Sequence, residues 1–245
     1  RARTVRPHNA LMNDTRVIQW RPSAGRAEQL MLLFHGVGDR AEGLAPLAER
    51  LRQAFPQAVV MSPDGFAPAD GGPHGARQWF SLQGVTEQNR PERVQAVLPA
   101  LEAWVRAAQQ ASGVGPAATA LVGFSQGAIC ALELAQAEDG LAGRVLAFAG
   151  RYATLPLHAP RHTTLHLFHG AEDPVIPVRY ARVAMQRLAE LQGDATIDIA
   201  EGVGHELPPA LVDCAIHRLR THIPHRTWAA ALGAVPALAE RGVED

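Results

Sequence analysis

The feature that most constrains the fold of this chain is an alternation of short apolar runs with longer amphipathic stretches. The runs predict strands near Val17–Trp20, Leu30–His35, Ala58–Ser62, Ala118–Phe124, Val145–Ala149, Thr164–Phe168 and Thr196–Ala200. The amphipathic stretches predict helices near Leu44–Ala54, Pro91–Gln110, Gln126–Ala137, Val178–Leu191, Pro208–Thr221 and Trp228–Leu238. Strands that alternate with helices form a mostly parallel sheet with helices on both faces. The sequence therefore predicts an α/β fold with a central sheet of about seven strands.

The length and composition are those of one folded domain. The chain has 245 residues, of which 47% are hydrophobic and 19% are charged. Sheet-centred α/β chains of about 250 residues commonly fold as one unit. We therefore expect residues 1–245 to form a single domain, to which residues 226–245 add a C-terminal helix and tail. No large insertion that could form a lid domain interrupts the pattern, so we expect an open, shallow cleft.

The charged residues exclude several functions. The formal net charge is -1, and all 23 basic residues are arginine because the sequence contains no lysine. A nearly neutral chain lacks the basic field that binds nucleic acid or an anionic membrane surface. Schiff-base chemistry, pyridoxal phosphate attachment, Ser-Lys hydrolysis and the P-loop all need a lysine. Any general base must therefore be a histidine or a carboxylate.

The two cysteines, Cys130 and Cys214, predict neither a disulfide framework nor a metal site, because they are few and lack CxxC spacing. Cys130 lies among apolar helical neighbours, so we expect it to be a small core residue. No apolar run reaches the ~18 residues of a membrane helix, so we expect no stable membrane insertion. Together these features favour the cytoplasm. The sequence allows a homo-oligomer without indicating one.

Residues Gly123-Phe124-Ser125-Gln126-Gly127 lie between a predicted strand and a predicted helix. In that context Gly-x-Ser-x-Gly is the nucleophile elbow, a strained turn that exposes the serine hydroxyl. The turn also places the Gln126 N–H at a helix N-terminus, where it can donate to a developing oxyanion. We therefore predict Ser125 as nucleophile and Gln126 as an oxyanion donor. The alternative is an ordinary strand-helix turn in an inactive protein that only binds ligands.

A serine nucleophile needs a base, and the base needs an acid that fixes its tautomer. With a nucleophile elbow the chain order is serine, then Asp or Glu, then His. Asp173 follows Ser125 by 48 residues, and His205 follows Asp173 by 32. Both lie just past the carboxyl ends of predicted strands, the edge at which open α/β sheets bind ligands. We therefore predict Ser125, Asp173 and His205 as a catalytic triad.

Other carboxylates and histidines are weaker candidates. The side chain of Glu172 projects from the backbone before the turn at Pro174. Asp194 and Asp198 lie before or within a strand. His35 and His169 also follow strands, but each precedes a glycine in a tight turn, so we expect each to order its loop.

Four histidines suggest a metal cluster at first sight: His158, His162, His166 and His169. The period of two along a strand places His166 on the opposite face from His169, and the sequence contains no HExxH motif. We therefore predict no metal site.

The loop His35-Gly36-Val37-Gly38-Asp39 follows another predicted strand. Its two glycines let backbone N–H groups approach a substrate oxygen, so we predict the Val37 N–H as the second oxyanion donor. The alternative is a plain glycine turn. Residues 65–90 form the longest irregular stretch and contain Trp79-Phe80, which either line the acyl site or anchor their loop on the core.

Four motifs together resemble the phospholipase/carboxylesterase family of α/β-hydrolases, which includes acyl-protein thioesterases. They are His35–Asp39, Gly123–Gly127, His169–Pro177 and Gly204-His205, within a resemblance that spans about residues 28 to 222. Residues 77–82 (Arg-Gln-Trp-Phe-Ser-Leu) are similar to the small bacterial carboxylesterase branch. The resemblance implies an α/β-hydrolase fold, the triad and oxyanion donors named above, and no cofactor.

The resemblance also implies a small-molecule substrate, a short to medium acyl ester hydrolysed through an acyl-enzyme on Ser125. Trp79, Phe80 and Val175 are the expected substrate contacts. Acyl-protein or acyl-CoA thioesters and lysophospholipids are the alternative substrates. Glu206-Leu207-Pro208 follows His205 where acyl-protein thioesterases usually have small polar residues, which argues against protein thioesters.

Overall fold

The computed structural model describes residues 3–5 and 15–233. The strands are β1 (Arg3–Val5), β2 (Val17–Trp20), β3 (Gln29–Phe34), β4 (Ala58–Pro63), β5 (Ala67–Pro68), β6 (Arg77–Gln78), β7 (Thr119–Phe124), β8 (Arg144–Phe148), β9 (Thr164–Gly170) and β10 (Ala195–Ala200). The α-helices are α1 (Ala45–Ala54), α2 (Arg90–Ser112), α3 (Gln126–Ala137), α4 (Arg179–Glu190), α5 (Pro209–Thr221) and α6 (His225–Gly233).

Eight of these strands form one sheet in the order β1-β2-β4-β3-β7-β8-β9-β10. β1 pairs antiparallel with β2, and β2 pairs antiparallel with β4, whereas all the other neighbours are parallel. The seven predicted strands are all present. The eighth is β1, which has only three residues and therefore gives little signal in the sequence. β5 and β6 form a separate two-stranded ribbon.

β3 shows how the sequence builds the two layers of helices. Alternate side chains of a strand point to opposite faces of the sheet. Leu30, Leu32 and Phe34 belong to a core cluster that includes side chains of α2, α3 and α4. Met31 and Leu33 belong to a second cluster with side chains of α1 and α5. β3 is apolar on both faces because each face is covered, as the mostly parallel arrangement requires.

α3 is buried around almost its whole circumference, and this fixes the position of the residue before it. Ten of its 12 residues are buried, and it packs against β7, β8 and α2. A helix that is apolar on all sides belongs in a protein interior. The start of α3 is therefore held rigidly at the carboxyl edge of the sheet.

The C-terminal prediction is met in part. α6 occupies His225–Gly233, three residues earlier than expected, and residues 234–238 of the predicted helix lie outside the described residues. None of the helices in the described ranges combines the length and hydrophobicity that crossing a membrane requires.

Candidate active site

Ser125 occupies a strained turn between β7 and α3. Its backbone has φ 54° and ψ -116°, a conformation that side-chain-bearing residues rarely adopt. A Cβ on Gly123 would overlap the Gly127 carbonyl, and a Cβ on Gly127 would overlap the Phe34 carbonyl. Only glycine fits at either position, because the strand, the turn and the neighbouring β3 backbone are in close contact. This is the geometry of a nucleophile elbow.

The side chains of Ser125, His205 and Asp173 form a continuous hydrogen-bonded chain. Ser125 Oγ lies 2.9 Å from His205 Nε2, and His205 Nδ1 lies 2.7 Å from Asp173 Oδ2. Because a carboxylate only accepts, Nδ1 is the protonated nitrogen and Nε2 is free to accept from the serine hydroxyl. The structure thus brings together the three residues that the sequence selected from segments far apart in the chain.

Asp173 is held so that one oxygen faces His205. Its other oxygen, Oδ1, accepts hydrogen bonds from the backbone N–H groups of Val175 at 2.8 Å and Ile176 at 2.9 Å. The carboxylate is fully buried, whereas the His205 side chain is 16% exposed. Two backbone donors and the imidazole therefore compensate for the burial of the charge.

The weaker carboxylate candidates lie elsewhere. Glu172 is exposed to solvent. Asp194 accepts from the Thr164 hydroxyl at 2.6 Å and contacts His222 Nε2 at 2.8 Å. Asp198 pairs with Arg218 through two contacts of 3.0 Å. In the described residues, Asp173 is the carboxylate that His205 contacts.

Val37 and Gln126 line the same cleft as Ser125. Gln126 is the first residue of α3, so its N–H has no acceptor within the helix. In the Val37 loop, the Gly38 N–H donates to Arg77 O and the Asp39 N–H donates to Gly36 O. No hydrogen bond among the described residues uses the Val37 N–H. Within the described residues, two backbone N–H groups without an acceptor therefore belong to residues that line the cleft beside Ser125.

His35 and His169 order loops around the site, as expected, and neither contacts Ser125. His35 Nδ1 donates to Gly36 O at 2.7 Å, and His35 Nε2 accepts from the Gly65 N–H at 2.8 Å. His169 Nε2 donates to Ile176 O at 2.7 Å, which fixes the backbone that supports Asp173. Burial lowers the pKa of both imidazoles, so both stay neutral at neutral pH.

The cleft has a volume of about 450 Å³ and opens to solvent. Its walls contain apolar side chains, among them Val37, Phe80, Leu82, Val85, Ile129 and Val175. Phe80 and Val175, expected from the sequence to contact substrate, both line the cleft that contains Ser125; their contact with substrate stays a prediction. The cleft is also lined by four charged residues, Glu87, Arg90, Arg151 and Arg179, which belong to none of the sequence motifs and so were not predicted.

The structure does not place Trp79 in this cleft. The indole is buried against Phe34 and Phe66, with ring centroids 5.2 and 5.3 Å away. Its Nε1 donates to the carbonyl of His35 at 2.8 Å. A buried indole N–H needs an acceptor, and this one finds it beneath the Val37 loop, away from the cleft. Of the two interpretations left open by the sequence, the geometry supports the loop anchor.

We therefore expect Trp79→Ala to lower stability and to reduce esterase activity equally for short and longer acyl chains. Removing a buried aromatic side chain costs about 3–5 kcal/mol, which for a domain of this size lowers the melting temperature by roughly 10 °C. Calorimetry and kcat/KM for acetyl, butyryl and hexanoyl esters measure both effects. Trp228→Ala is the matched control, because Trp228 is 55% exposed. A loss that grows with acyl length would instead place Trp79 in the acyl site.

The side chain of Gln126 has a role that sequence reasoning overlooked. Its Oε1 accepts from the Trp79 N–H at 2.8 Å, and its Nε2 donates to the Phe80 carbonyl at 2.7 Å. The residue after the nucleophile thus joins the elbow to the segment that carries Phe80. The Gly-x-Ser-x-Gly motif accepts any residue at the position of Gln126. The amide side chain at that position was therefore the only sign of this role in the sequence.

The histidines that suggested a metal cluster do not converge. Among residues 3–5 and 15–233, no group of three or more His, Cys, Asp or Glu side chains could hold a metal ion. His166 Nδ1 instead contacts Thr196 Oγ1 at 2.8 Å. Burial, with Arg144 and His222 nearby, lowers the pKa of His166 to about 3. This imidazole therefore stays neutral in the folded protein well below neutral pH.

We expect His166 to destabilise the fold in acid. Between its unfolded pKa of about 6.5 and its folded pKa of about 3, the unfolded state binds the proton and the folded state does not, so stability falls as pH falls. At pH 5 the contribution is about 2 kcal/mol. Urea unfolding measures the free energy of unfolding at pH 7 and at pH 5. The decrease between the two pH values should be smaller in His166→Gln than in wild type by about this amount. The same drop in His166→Gln and in the exposed control His74→Gln would contradict the assignment.

The fold and the site define a serine hydrolase with the α/β-hydrolase fold. Residues 14–223 match the phospholipase/carboxylesterase family, and the chain belongs to that family. It is 49% identical to esterase YpfH of Escherichia coli (strain K12) over 206 residues, which is 84% of this chain and 88% of that protein. It is 26% identical over 221 residues to acyl-protein thioesterase 1 of Gibberella zeae, covering 83% of this chain and 94% of that protein.

Solved structures share the fold of this chain. The crystal structure of esterase PE8 superposes with a TM-score of 0.76 at 30% identity, covering 82% of this chain and 96% of that chain. The Bacillus cereus carboxylesterase superposes with a TM-score of 0.69 at 18% identity, over 83% and 92% of the two chains. The family resemblance drawn from four short motifs is confirmed.

Proposed function

We propose that this enzyme is a serine carboxylesterase that hydrolyses short to medium acyl esters through an acyl-enzyme intermediate on Ser125. The observation that carries the proposal is the hydrogen-bonded chain Ser125–His205–Asp173, with the free N–H groups of Val37 and Gln126 on the same cleft. Each group matches one requirement of acyl transfer: nucleophile, base, orienting acid and oxyanion donors.

In the acylation step Ser125 Oγ attacks the ester carbonyl carbon while its proton passes to His205 Nε2. The carbonyl oxygen becomes an oxyanion, and the Val37 and Gln126 N–H groups donate to it. Asp173 remains ionised and stabilises the imidazolium through Nδ1. When the tetrahedral intermediate collapses, His205 gives its proton to the leaving alcohol and the acyl group stays on Ser125.

Deacylation repeats the same proton transfers with water. His205 Nε2 accepts a proton from a water molecule that attacks the acyl carbon, and the same two N–H groups bind the second oxyanion. Collapse returns the proton to Ser125 Oγ and releases the carboxylic acid. Apart from substrate and water, the proposed cycle uses only groups of the polypeptide; that the enzyme needs no cofactor stays a prediction. The cytoplasmic location and the oligomeric state stay predictions.

A thioesterase activity is the second candidate, because relatives named acyl-protein thioesterase match most of the chain. The same triad can transfer an acyl group from sulfur as from oxygen. Parallel kcat/KM values for acyl esters and acyl thioesters of equal chain length would rank the two activities. The Glu206-Leu207-Pro208 sequence after His205 favours small esters over protein thioesters.

A fluorophosphonate probe tests the proposed mechanism directly. An activated Ser125 reacts covalently, and mass spectrometry of the labelled peptide should locate the probe on residue 125. A panel of 4-nitrophenyl esters from two to twelve carbons then gives the chain-length optimum, which we expect at the short end because the cleft is small. An unlabelled protein with no turnover on any ester would support the alternative, an inactive hydrolase fold that serves as a binding protein.

A further inference from the structure

One side of the cleft beside Ser125 carries an excess of positive charge. Its charged lining residues are Glu87, Arg90, Arg151 and Arg179, three guanidinium groups against one carboxylate. The whole chain, by contrast, has a formal net charge of -1. We propose that this arginine wall, defined by Arg90, Arg151 and Arg179, binds an anionic group of the ester substrate, a carboxylate or a phosphate. The proposal rests on the esterase function proposed above.

Glu87 compensates only part of this charge. Arg151 binds it in a bidentate arrangement, with Nη1 3.0 Å from Oε1 and Nη2 2.6 Å from Oε2. Arg90 adds a longer contact of 3.3 Å to Oε1. The bond from Arg151 lowers the pKa of Glu87, so the carboxylate stays charged, and Arg151 also donates through Nε to Tyr152 O. The single negative charge of Glu87 is thus shared by two arginines and mainly neutralises Arg151.

Arg179 has no such partner. Within the described residues its guanidinium makes no hydrogen bond or ion pair, although it lies 5.0 Å from the centroid of the Tyr180 ring. The guanidinium of Arg151 lies 3.7 Å from the same centroid. Tyr180 therefore holds the two cations beside the cleft, one paired and one unpaired. Arg90 Nε is likewise buried without an acceptor.

Three helix N-termini reinforce the positive potential. Arg90, Gln126 and Arg179 are the first residues of α2, α3 and α4, and all three line the cleft. A helix N-terminus carries a partial positive charge, which stabilises anions and destabilises cations. The first turn of α4 contains no acidic residue, so Arg179 lies where helix stability disfavours it. A bound anion would remove this conflict, because it would pair with both the guanidinium and the helix end.

The test compares two esters with the same six-carbon acyl chain, 4-nitrophenyl hexanoate, which ends in a methyl group, and the mono-4-nitrophenyl ester of adipic acid, which ends in a carboxylate. The readout is the ratio of kcat/KM for the anionic ester to kcat/KM for the neutral one. We expect Arg179→Gln to lower this ratio about tenfold, equivalent to about 1.4 kcal/mol, and Arg179→Lys to lower it less. Arg182→Gln is the control, because Arg182 is exposed on α4 outside the cleft lining. Added salt should lower the wild-type ratio.

A second pair places the charge on the alcohol side: 4-acetoxybenzoate and its methyl ester. A drop in either ratio that is specific to Arg179→Gln supports the proposal and tells which end of the substrate the wall binds. Ratios in both pairs that are the same in wild type, Arg179→Gln and Arg182→Gln would overturn it. Turnover of the neutral esters reports the esterase function separately, so its absence would overturn the proposed function and this inference with it.

Discussion

Ser125→Ala should abolish ester hydrolysis, with kcat/KM reduced about 10⁴-fold or more, and leave the fold intact. The hydroxyl is the atom that would bond to the acyl carbon, and nothing in the cleft can replace it. Within the described residues the hydroxyl makes one side-chain hydrogen bond, the 2.9 Å bond to His205, so its removal disturbs little packing. Initial rates on 4-nitrophenyl butyrate, together with circular dichroism and a melting curve, measure both parts of the expectation.

Ser125→Gly provides a second inactive variant with a different effect on stability. The serine backbone at φ 54° and ψ -116° is strained, and strain of this kind costs about 1–3 kcal/mol in residues with a side chain. Glycine adopts this conformation freely, so Ser125→Gly should melt no lower than Ser125→Ala. Retention of more than about a hundredth of wild-type turnover by either variant would show that Ser125 is not the nucleophile.

Asp173→Asn is expected to have the next largest effect, a fall in kcat of several orders of magnitude at neutral pH. The asparagine oxygen can keep the bonds from the Val175 and Ile176 N–H groups, which leaves the NH₂ group facing His205 Nδ1. An NH₂ group donates, so it stabilises the tautomer whose proton is on Nε2. That tautomer cannot accept the Ser125 proton. In a serine protease the equivalent change lowers kcat about 10⁴-fold.

Glu172→Gln is the matched control for this prediction. It removes a carboxylate charge from the adjacent residue, which is exposed to solvent. We expect nearly full activity from Glu172→Gln and a melting temperature close to wild type from both variants. The reverse pattern, with Glu172→Gln inactive and Asp173→Asn mild, would require a different acid and a rearranged loop.

The fold could be predicted closely because its signals are local. Apolar runs of strand length, each followed by an amphipathic stretch, mark β2, β3, β4 and the other long strands within about one or two residues. β1 was missed because three residues carry no usable periodicity. Helix α2 extends beyond its predicted end because Gly113, in a left-handed conformation, terminates it after the apolar stripe has ended.

Some residues of the candidate site could be predicted from the sequence, and others could not. Ser125, Asp173 and His205 could be predicted because each follows a strand, and the carboxyl ends of parallel strands meet at one edge of the sheet. Trp79 was predicted as a substrate contact, but the structure buries it outside the cleft; a buried aromatic and a cleft-lining aromatic give the same sequence signal. The arginines could not be predicted for another reason. Arg90 and Arg151 both bind Glu87, and Arg151 lies 64 positions from Glu87 in the sequence, a contact that no local pattern encodes.

Hydrogen bonds to residues outside the proposed catalytic machinery hold the loop that contains Val37 in place. The Trp79 indole N–H donates to the His35 carbonyl, and His35 Nε2 accepts from the Gly65 N–H. The Gly38 N–H donates to Arg77 O. Opening this loop would leave several buried polar groups without partners at once. We therefore expect the Val37 N–H, the proposed oxyanion donor, to be in position before substrate binds, without a closing movement of this loop. The catalytic rate should follow one activation energy upon warming until the whole domain melts.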